Sequence, residues 1–174
     1  MFQAIHRYEE QSLGLPYAVV LIDGAEAEID DATGETVGIS VHAVEKLAAS
    51  VAMIRALDPL QLDGREVRFI RRVIGMSAKD FAESLPIDPA TFSRWENNKQ
   101  IVGEWADKQV RMAALIALRD RAPHLTVDPK EVIRLRVRVR QPDEWPHLEM
   151  RWVHLGDVAR ADAADTWDTM PIAA

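Results

Sequence analysis

The sequence predicts an α+β protein of 174 residues. A central all-helical unit over residues 62–121 is preceded by a small β-plus-helix part over residues 1–61 and followed by a C-terminal β-hairpin over residues 122–174. Three observations predict this. Residues 76–99, MSAKDFAESLPIDPATFSRWENNK, carry start and stop signals for two short helices joined by a tight turn. Residues 17–39 hold three short apolar runs broken by turn residues, and residues 132–140, VIRLRVRVR, alternate apolar side chains with arginine.

In the N-terminal part, residues 17–22, 26–29 and 36–39 read as short strands, separated by Asp23 and Gly24 and by the turn-rich residues 30–34. A helix is expected from about Ser40, with Val44, Leu47, Val51 and Ile54 on one face. Its connection to the next unit falls near Asp58 and Pro59. This part serves either as a packing or dimerisation module or as a partner-binding surface.

The central unit opens at Asp63, which forms a capping box with Glu66 and starts an amphipathic helix. Val67, Ile70 and Ile74 face inward, while Arg65, Arg68, Arg71 and Arg72 reach outward; that cluster is either a solvated helix face or part of a basic surface. Gly75 ends it. Ser77 caps the next helix, with Asp80 in its first turn and Phe81, Ala82 and Leu85 on the buried side. Asp88 followed by Pro89 starts a third helix, running to about Asn97, because proline at the first helical position gives up no hydrogen bond. Phe92 and Trp95 point into the core, whereas Ala90, Thr91 and Arg94 share the opposite face. Residues 104–121 carry Trp105, Met112, Leu115 and Ile116 at helical spacing and are expected to close the core.

With those residues in view, residues 62–118 resemble the Xre, or lambda-repressor-like, helix-turn-helix family. The resemblance is carried by Gly75 to Ser77, Phe81 and Ala82, the turn before Asp88, and the run from Phe92 to Asn97. The lead-in over residues 62–72 together with the Phe-Ser-Arg-aromatic-Glu run is most similar to the DNA-binding half of MqsA-type antitoxins. The resemblance implies a dimer that binds double-stranded DNA at a palindromic operator, and in the antitoxin version a toxin as a second partner. It places base-reading positions at Pro89, Ala90 and Arg94, with Ala78 at the tip of the preceding helix. Arg94 alone has the planar fork that pairs bidentately with guanine, worth roughly 1–3 kcal/mol of discrimination. Ala90 and Ala78 stand where polar residues are usual, so a thymine methyl contact or DNA shape must supply part of the readout. Thr91, Ser93, Asn97, Lys79 and Lys99 are placed for phosphates. Alternatively, Arg94 pairs locally with Glu96 or Asp88. Asn98 stands where the family usually has glycine, and asparagine tolerates the left-handed conformation of a helix end. The alternative function is a protein-interaction module that sequesters a toxin or other partner, with the helix-turn-helix kept as scaffold.

At the C-terminal end, period two puts Arg134, Arg136, Arg138 and Arg140 on one strand face. A second run over residues 148–155 follows the loop at 141–146, so a hairpin is predicted. The basic ribbon either faces water and pairs with Glu149, takes an acidic partner such as the N-terminal part of another copy, or lies along phosphates. The tail from Arg160, with Asp162, Asp165 and Asp168, is expected to fray.

Composition bounds these readings. The formal charge of −7 is uneven: residues 1–61 hold 3 basic and 10 acidic side chains, whereas residues 62–121 hold 11 and 9. The predicted reader is thus locally positive, and an acidic neighbour weakens non-specific binding without abolishing a specific site. The chain has no cysteine, which excludes disulfides and thiolate metal sites. The cysteine-rich zinc domain common in MqsA-type antitoxins is therefore expected to be absent or replaced. No HExxH, phosphate-binding glycine loop or nucleophile elbow occurs, and His6, His42, His124, His147 and His154 are scattered. No enzyme, cofactor or metal is expected. The start MFQAIHRYEE lacks a basic region followed by a long apolar run, and no stretch is long enough to span a bilayer. The expected location is the cytoplasm, on DNA.

Overall fold

Both ends of the chain build one sheet. A computed structural model describes residues 1–123, 125, 127–153 and 165–169. The first strand, β1 (Phe2–Glu10), runs antiparallel to β2 (Val19–Ile29), with Phe2 opposite Glu28 and Glu10 opposite Val19. The C-terminal half of β2 pairs with β3 (Thr36–Val41), Ala25 lying opposite Val41. Its N-terminal half pairs in parallel with β4 (Glu149–Val153), Val20 opposite Glu149, and β5 (Thr166–Thr169) closes antiparallel on β4.

This corrects the expected fold, in which two small β parts flank a central all-α unit: the flanks are one five-stranded mixed sheet, and strands lead the chain. The reason lies in Val19, Val20, Leu21 and Ile22, all buried. A strand covered on both faces reads as an unbroken apolar run and needs partners on both edges. Asp23 and Gly24 are not a turn. Asp23 has φ +58°, and the register with β1 shifts between Ile5 and Arg7, so the pair forms a bulge within one long strand. Gly24 is required there, because a Cβ would fall 1.9 Å from the Trp167 ring.

Trp167 itself is fully buried, donates from Nε1 to the His42 carbonyl at 2.9 Å, and meets Trp152 edge to face at 5.3 Å. The part of the expected frayed tail that carries Asp165 and Asp168 is therefore anchored by an aromatic core residue. Asp162, His154, His124 and Leu155 lie outside the described residues.

The predicted arginine strand is corrected too. Asp128 Oδ1 accepts from the Lys130 N–H at 2.9 Å, and with Pro129 it starts a short helix, α6 (Lys130–Arg134). Among the described residues the run makes one β-bridge, the parallel pairing of Arg138 with Leu60. Ile133 and Val139 are exposed, Arg134 pairs with Glu131, Arg138 with Glu144, and Arg140 with Asp63. The run at 148–155 supplies β4, whose partners are β2 and β5 and not residues 132–140.

Between the strands lie α1 (Val44–Leu57), α2 (Gly64–Ile74), α3 (Ala78–Ser84), α4 (Pro89–Glu96) and α5 (Glu104–Leu118). The face of α5 that packs inward carries Ala106, Val110, Ala114 and Leu118, together with Leu115. Trp105 and Ile116, expected in the core, are 61% and 63% exposed.

Two buried arginines join these helices. Arg55 on α1 donates from Nε to Glu66 Oε1 at 2.5 Å and from Nη2 to Glu66 Oε2 at 3.1 Å and the Leu60 carbonyl at 2.8 Å. Glu66 also accepts from the Tyr17 hydroxyl at 2.7 Å and the Asp63 N–H at 2.7 Å. Burial, next to the Glu66 carboxylate, pushes the Tyr17 phenol far above its ordinary value. Arg111 on α5 pairs with Asp107 and donates to the carbonyls of Arg55, Ala56, Asp58 and Leu60. Asp107 Oδ2 accepts from the Leu62 N–H at 2.7 Å. The segment between α1 and α2 is thus held through its backbone by two guanidinium groups. Arg111→Met is expected to destabilise the fold by about 3–5 kcal/mol, because Asp107 and four carbonyls lose a buried partner; urea unfolding followed by circular dichroism measures it, and a loss below about 1 kcal/mol would contradict the assignment.

Candidate nucleic-acid interface

The helix pair α3–α4 follows from its caps. Gly75 ends α2 in the left-handed conformation, φ +91°, where only glycine is unstrained. Ser77 Oγ accepts from the Asp80 N–H at 3.1 Å and starts α3. The Ile87 N–H donates to the Ala82 carbonyl at 2.9 Å, turning the chain, and Asp88 Oδ2 accepts from the Thr91 N–H at 2.9 Å to start α4 at Pro89. Phe92 and Trp95 are buried as expected, Phe92 lying 5.5 Å from Phe81 and 6.1 Å from Trp95.

Arginines of α2 lock the far end of α4. Arg71 Nε donates to Glu96 Oε1 at 2.7 Å, and its Nη1 reaches the Met76 carbonyl at 2.7 Å, so one side chain spans the start of α3 and the end of α4. Arg68 donates to the Glu96 carbonyl at 2.9 Å and to Asn97 Oδ1 at 3.0 Å. Half of the arginine cluster expected to face outward is therefore structural. Arg65 lies 5.2 Å from the Trp145 ring centre and Arg140 4.3 Å from it, a cation–π arrangement that also engages the end of the basic run.

Asn98 does more than tolerate its φ of +53°. Its Oδ1 accepts from the Gly64 N–H at 2.8 Å, and its Nδ2 donates to Asp63 Oδ1 at 3.2 Å. Gly64 allows the approach, since a Cβ there would fall 1.7 Å from the Trp95 carbonyl oxygen. Asp63 also accepts from the Arg65 backbone at 2.8 Å and from Arg140 at 3.2 Å. Burial alone would raise its pKa, but the hydrogen bonds from Arg65 and Asn98 outweigh burial and hold the carboxyl below its ordinary value.

The opposite side of α4 is open. Pro89, Ala90, Ser93 and Arg94 are exposed, as is Lys99 beyond the helix end, and Thr91 is half-buried. Among the described residues Arg94 makes no ion pair, because Glu96 is taken by Arg71 and Arg68 and Asp88 caps the helix. Lys79 is exposed at 4.0 Å from Glu83. Ala78 is half-buried and packs on the core at the start of α3. The Asn97 side chain is engaged on both sides, donating to the Ser93 carbonyl at 2.7 Å while it accepts from Arg68. Of the expected readers, Pro89, Ala90, Ser93, Arg94, Asn97, Lys79 and Lys99 are thus exposed, and Thr91 and Ala78 are half-buried. The roles of Arg68, Arg71 and Asn98 as braces were not read from the sequence, although Glu96 following Trp95 was the signal that an acidic residue awaits a basic partner there.

Among the described residues no group of three His, Asp or Glu side chains is arranged to hold a metal ion, and no helix is long and apolar enough to cross a membrane. Compared with protein-family models, curated proteins and solved structures, the chain matches none.

Two outcomes are expected from the brace at Asn98. Asn98→Gly keeps the left-handed backbone easily but loses both side-chain hydrogen bonds, so it should cost about 1–3 kcal/mol in chemical denaturation; a neutral or stabilising result would show that backbone freedom outweighs the brace. Asp63, with its lowered pKa, contributes stability that is present above the ordinary carboxylate range and lost as pH falls through its folded pKa. Urea midpoints of wild type and Asp63→Asn taken from pH 7 to pH 3 should show a shallower acid-side decline in the variant, and parallel curves would refute the linkage.

Proposed function

We propose that this protein is a sequence-specific DNA-binding regulator, a dimeric repressor that sets α4 of each copy into the major groove of a palindromic operator. The observation that carries the proposal is the division of α4 into a locked side and an open side. Phe92, Trp95 and Glu96 are held by the core and by α2, while Pro89, Ala90, Ser93 and Arg94 face solvent and Arg94 is unpaired among the described residues. A rigid helix with one free guanidinium is what bidentate recognition of guanine requires. Exposed Lys99 and Lys79 and the Thr91 and Ser93 hydroxyls supply phosphate contacts that fix register. Two copies related by a two-fold axis would read half-sites about 34 Å apart. As a cytoplasmic antitoxin, the same protein would repress its own operon and hold a toxin through another surface.

A second reading rests on Ala78 and Ala90. With alanine at two of the four base-facing positions, direct readout falls on Arg94, so the helix pair could act mainly as scaffold for a protein that sequesters a partner. The two readings differ in one measurement. In fluorescence anisotropy with DNA from upstream of the coding region, wild type should prefer that DNA over scrambled duplex, with affinity falling steeply as salt rises. Arg94→Ala should lose about five- to hundredfold in affinity for the operator and little for scrambled DNA, whereas Lys99→Ala should weaken both alike. Equal operator binding by wild type and Arg94→Ala would remove the proposed reader.

A further inference from the structure

A cleft of about 370 Å³ opens where three distant segments meet: residues 139–140, residues 61–64 at the start of α2, and residues 98–102 beyond the end of α4. That volume lies at the lower end of the range of small-molecule sites. Its walls are of two kinds. Leu62 and Val102 are buried apolar residues, and Ile101 and Val139, which also line it, are 78% and 67% exposed. The polar wall is rich in donors. Arg140, 22% exposed, gives one N–H to Asp63 Oδ2 at 3.2 Å and lies 4.3 Å from the Trp145 ring centre. A guanidinium carries five N–H donors, so all but one of those on Arg140 lack a partner among the described residues. Asn98 Nδ2 spends one of its two N–H groups on Asp63, and the exposed Gln100 amide adds two more. Asp63, the one acid lining the cleft, is already met by the Arg65 N–H and Nε, by Asn98 and by Arg140.

Unused donors beside apolar walls fit one ligand chemistry. We propose that the cleft binds a small organic acid, a monocarboxylate with a short branched apolar chain. The carboxylate takes free N–H groups of Arg140 in a charge-assisted pairing, supported by the Asn98 and Gln100 amides. The chain lies on Leu62, Ile101, Val102 and Val139. An inorganic anion would leave those apolar walls to water, and a neutral apolar molecule would cover the unpaired guanidinium donors. The local charge agrees, since Arg65, Lys99 and Arg140 outnumber Asp63 around the cleft. An occupant lies against Asn98, which braces the end of α4 through Gly64 and Asp63. The site rests on the cleft and its donors and does not depend on the DNA reading.

Amide NMR titrations of the whole protein without DNA test the site, with acetate, butyrate and isovalerate as probes and isovaleramide as the neutral counterpart. Isovalerate is expected to give saturable shifts at Gly64, Asn98 and Gln100 to Val102, with a dissociation constant of about 1 mM or below. Affinity should rise about two- to fourfold for each CH2 group added to acetate, and isovaleramide should bind at least about tenfold more weakly than the acid. Arg140→Gln should lose at least about tenfold in affinity for isovalerate while its dispersed spectrum shows the fold intact. Arg134→Gln, at an exposed arginine outside the cleft, should bind as wild type does. Val139→Trp fills the cleft without removing a hydrogen-bonding side chain and should abolish the shifts. No saturable shift with any acid, equal binding of acid and amide, or undiminished binding by Arg140→Gln or Val139→Trp overturns the assignment.

Discussion

The burial of Arg55 and Arg111 is the constraint around which the rest is arranged. Neither guanidinium reaches solvent, so every donor must find an acceptor inside the protein. Arg55 takes Glu66, and Arg111 takes Asp107 and the carbonyls of the segment after α1. Burial disfavours the charge on Arg55, yet the adjoining Glu66 carboxylate outweighs it and its pKa is raised. Four elements follow from these two side chains. Helix α1 supplies Arg55, α5 supplies Arg111 and Asp107, α2 supplies Glu66, and the loop before β2 supplies Tyr17. The sheet side and the helical side are thereby joined by directional bonds as well as by apolar packing, and α2 is fixed in the position from which Arg68 and Arg71 hold α4.

What local signals specify was legible in the sequence. The capping box at Asp63, the glycine stop at Gly75, the Ser77 cap and the Asp88–Pro89 start all occur as read, because each depends only on neighbours a few residues away. The inward pair Phe92 and Trp95 was legible for the same reason: on an eight-residue helix two large aromatic side chains leave one choice of buried face.

Long-range pairing was not legible. The unbroken run Val19 to Ile22 shows a strand covered on both sides, but nothing in its period says that its second neighbour is Glu149 to Arg151. The alternation in VIRLRVRVR was overridden by a local signal: Asp128 and Pro129 cap a helical turn, and Arg138 and Arg140 are drawn to Glu144, Asp63 and Trp145. Helix α5 shows a third limit. It carries two apolar rows, one large and one small, and periodicity cannot choose between them. The small row is buried where α5 packs on α1, the side on which Arg111 reaches the Arg55 and Ala56 carbonyls. Trp105 and Ile116 are left outside. Of the candidate interface, the exposed positions on α4 were read from the sequence, while the bracing by Arg68, Arg71 and Asn98 depends on contacts across 25 or more residues.

A regulator built this way would present a short rigid helix whose orientation is set from behind and whose front carries one strong hydrogen-bonding group. The most direct test is a two-dimensional amide NMR titration of the whole protein with duplex DNA from upstream of its coding region and with a scrambled duplex. Saturable shifts at Pro89's neighbours, Ala90 to Arg94, and around Lys99, seen with the upstream duplex and weak with the scrambled one, are the expected result. Equal responses to both duplexes, or shifts confined to the sheet, would contradict a sequence-reading role for α4.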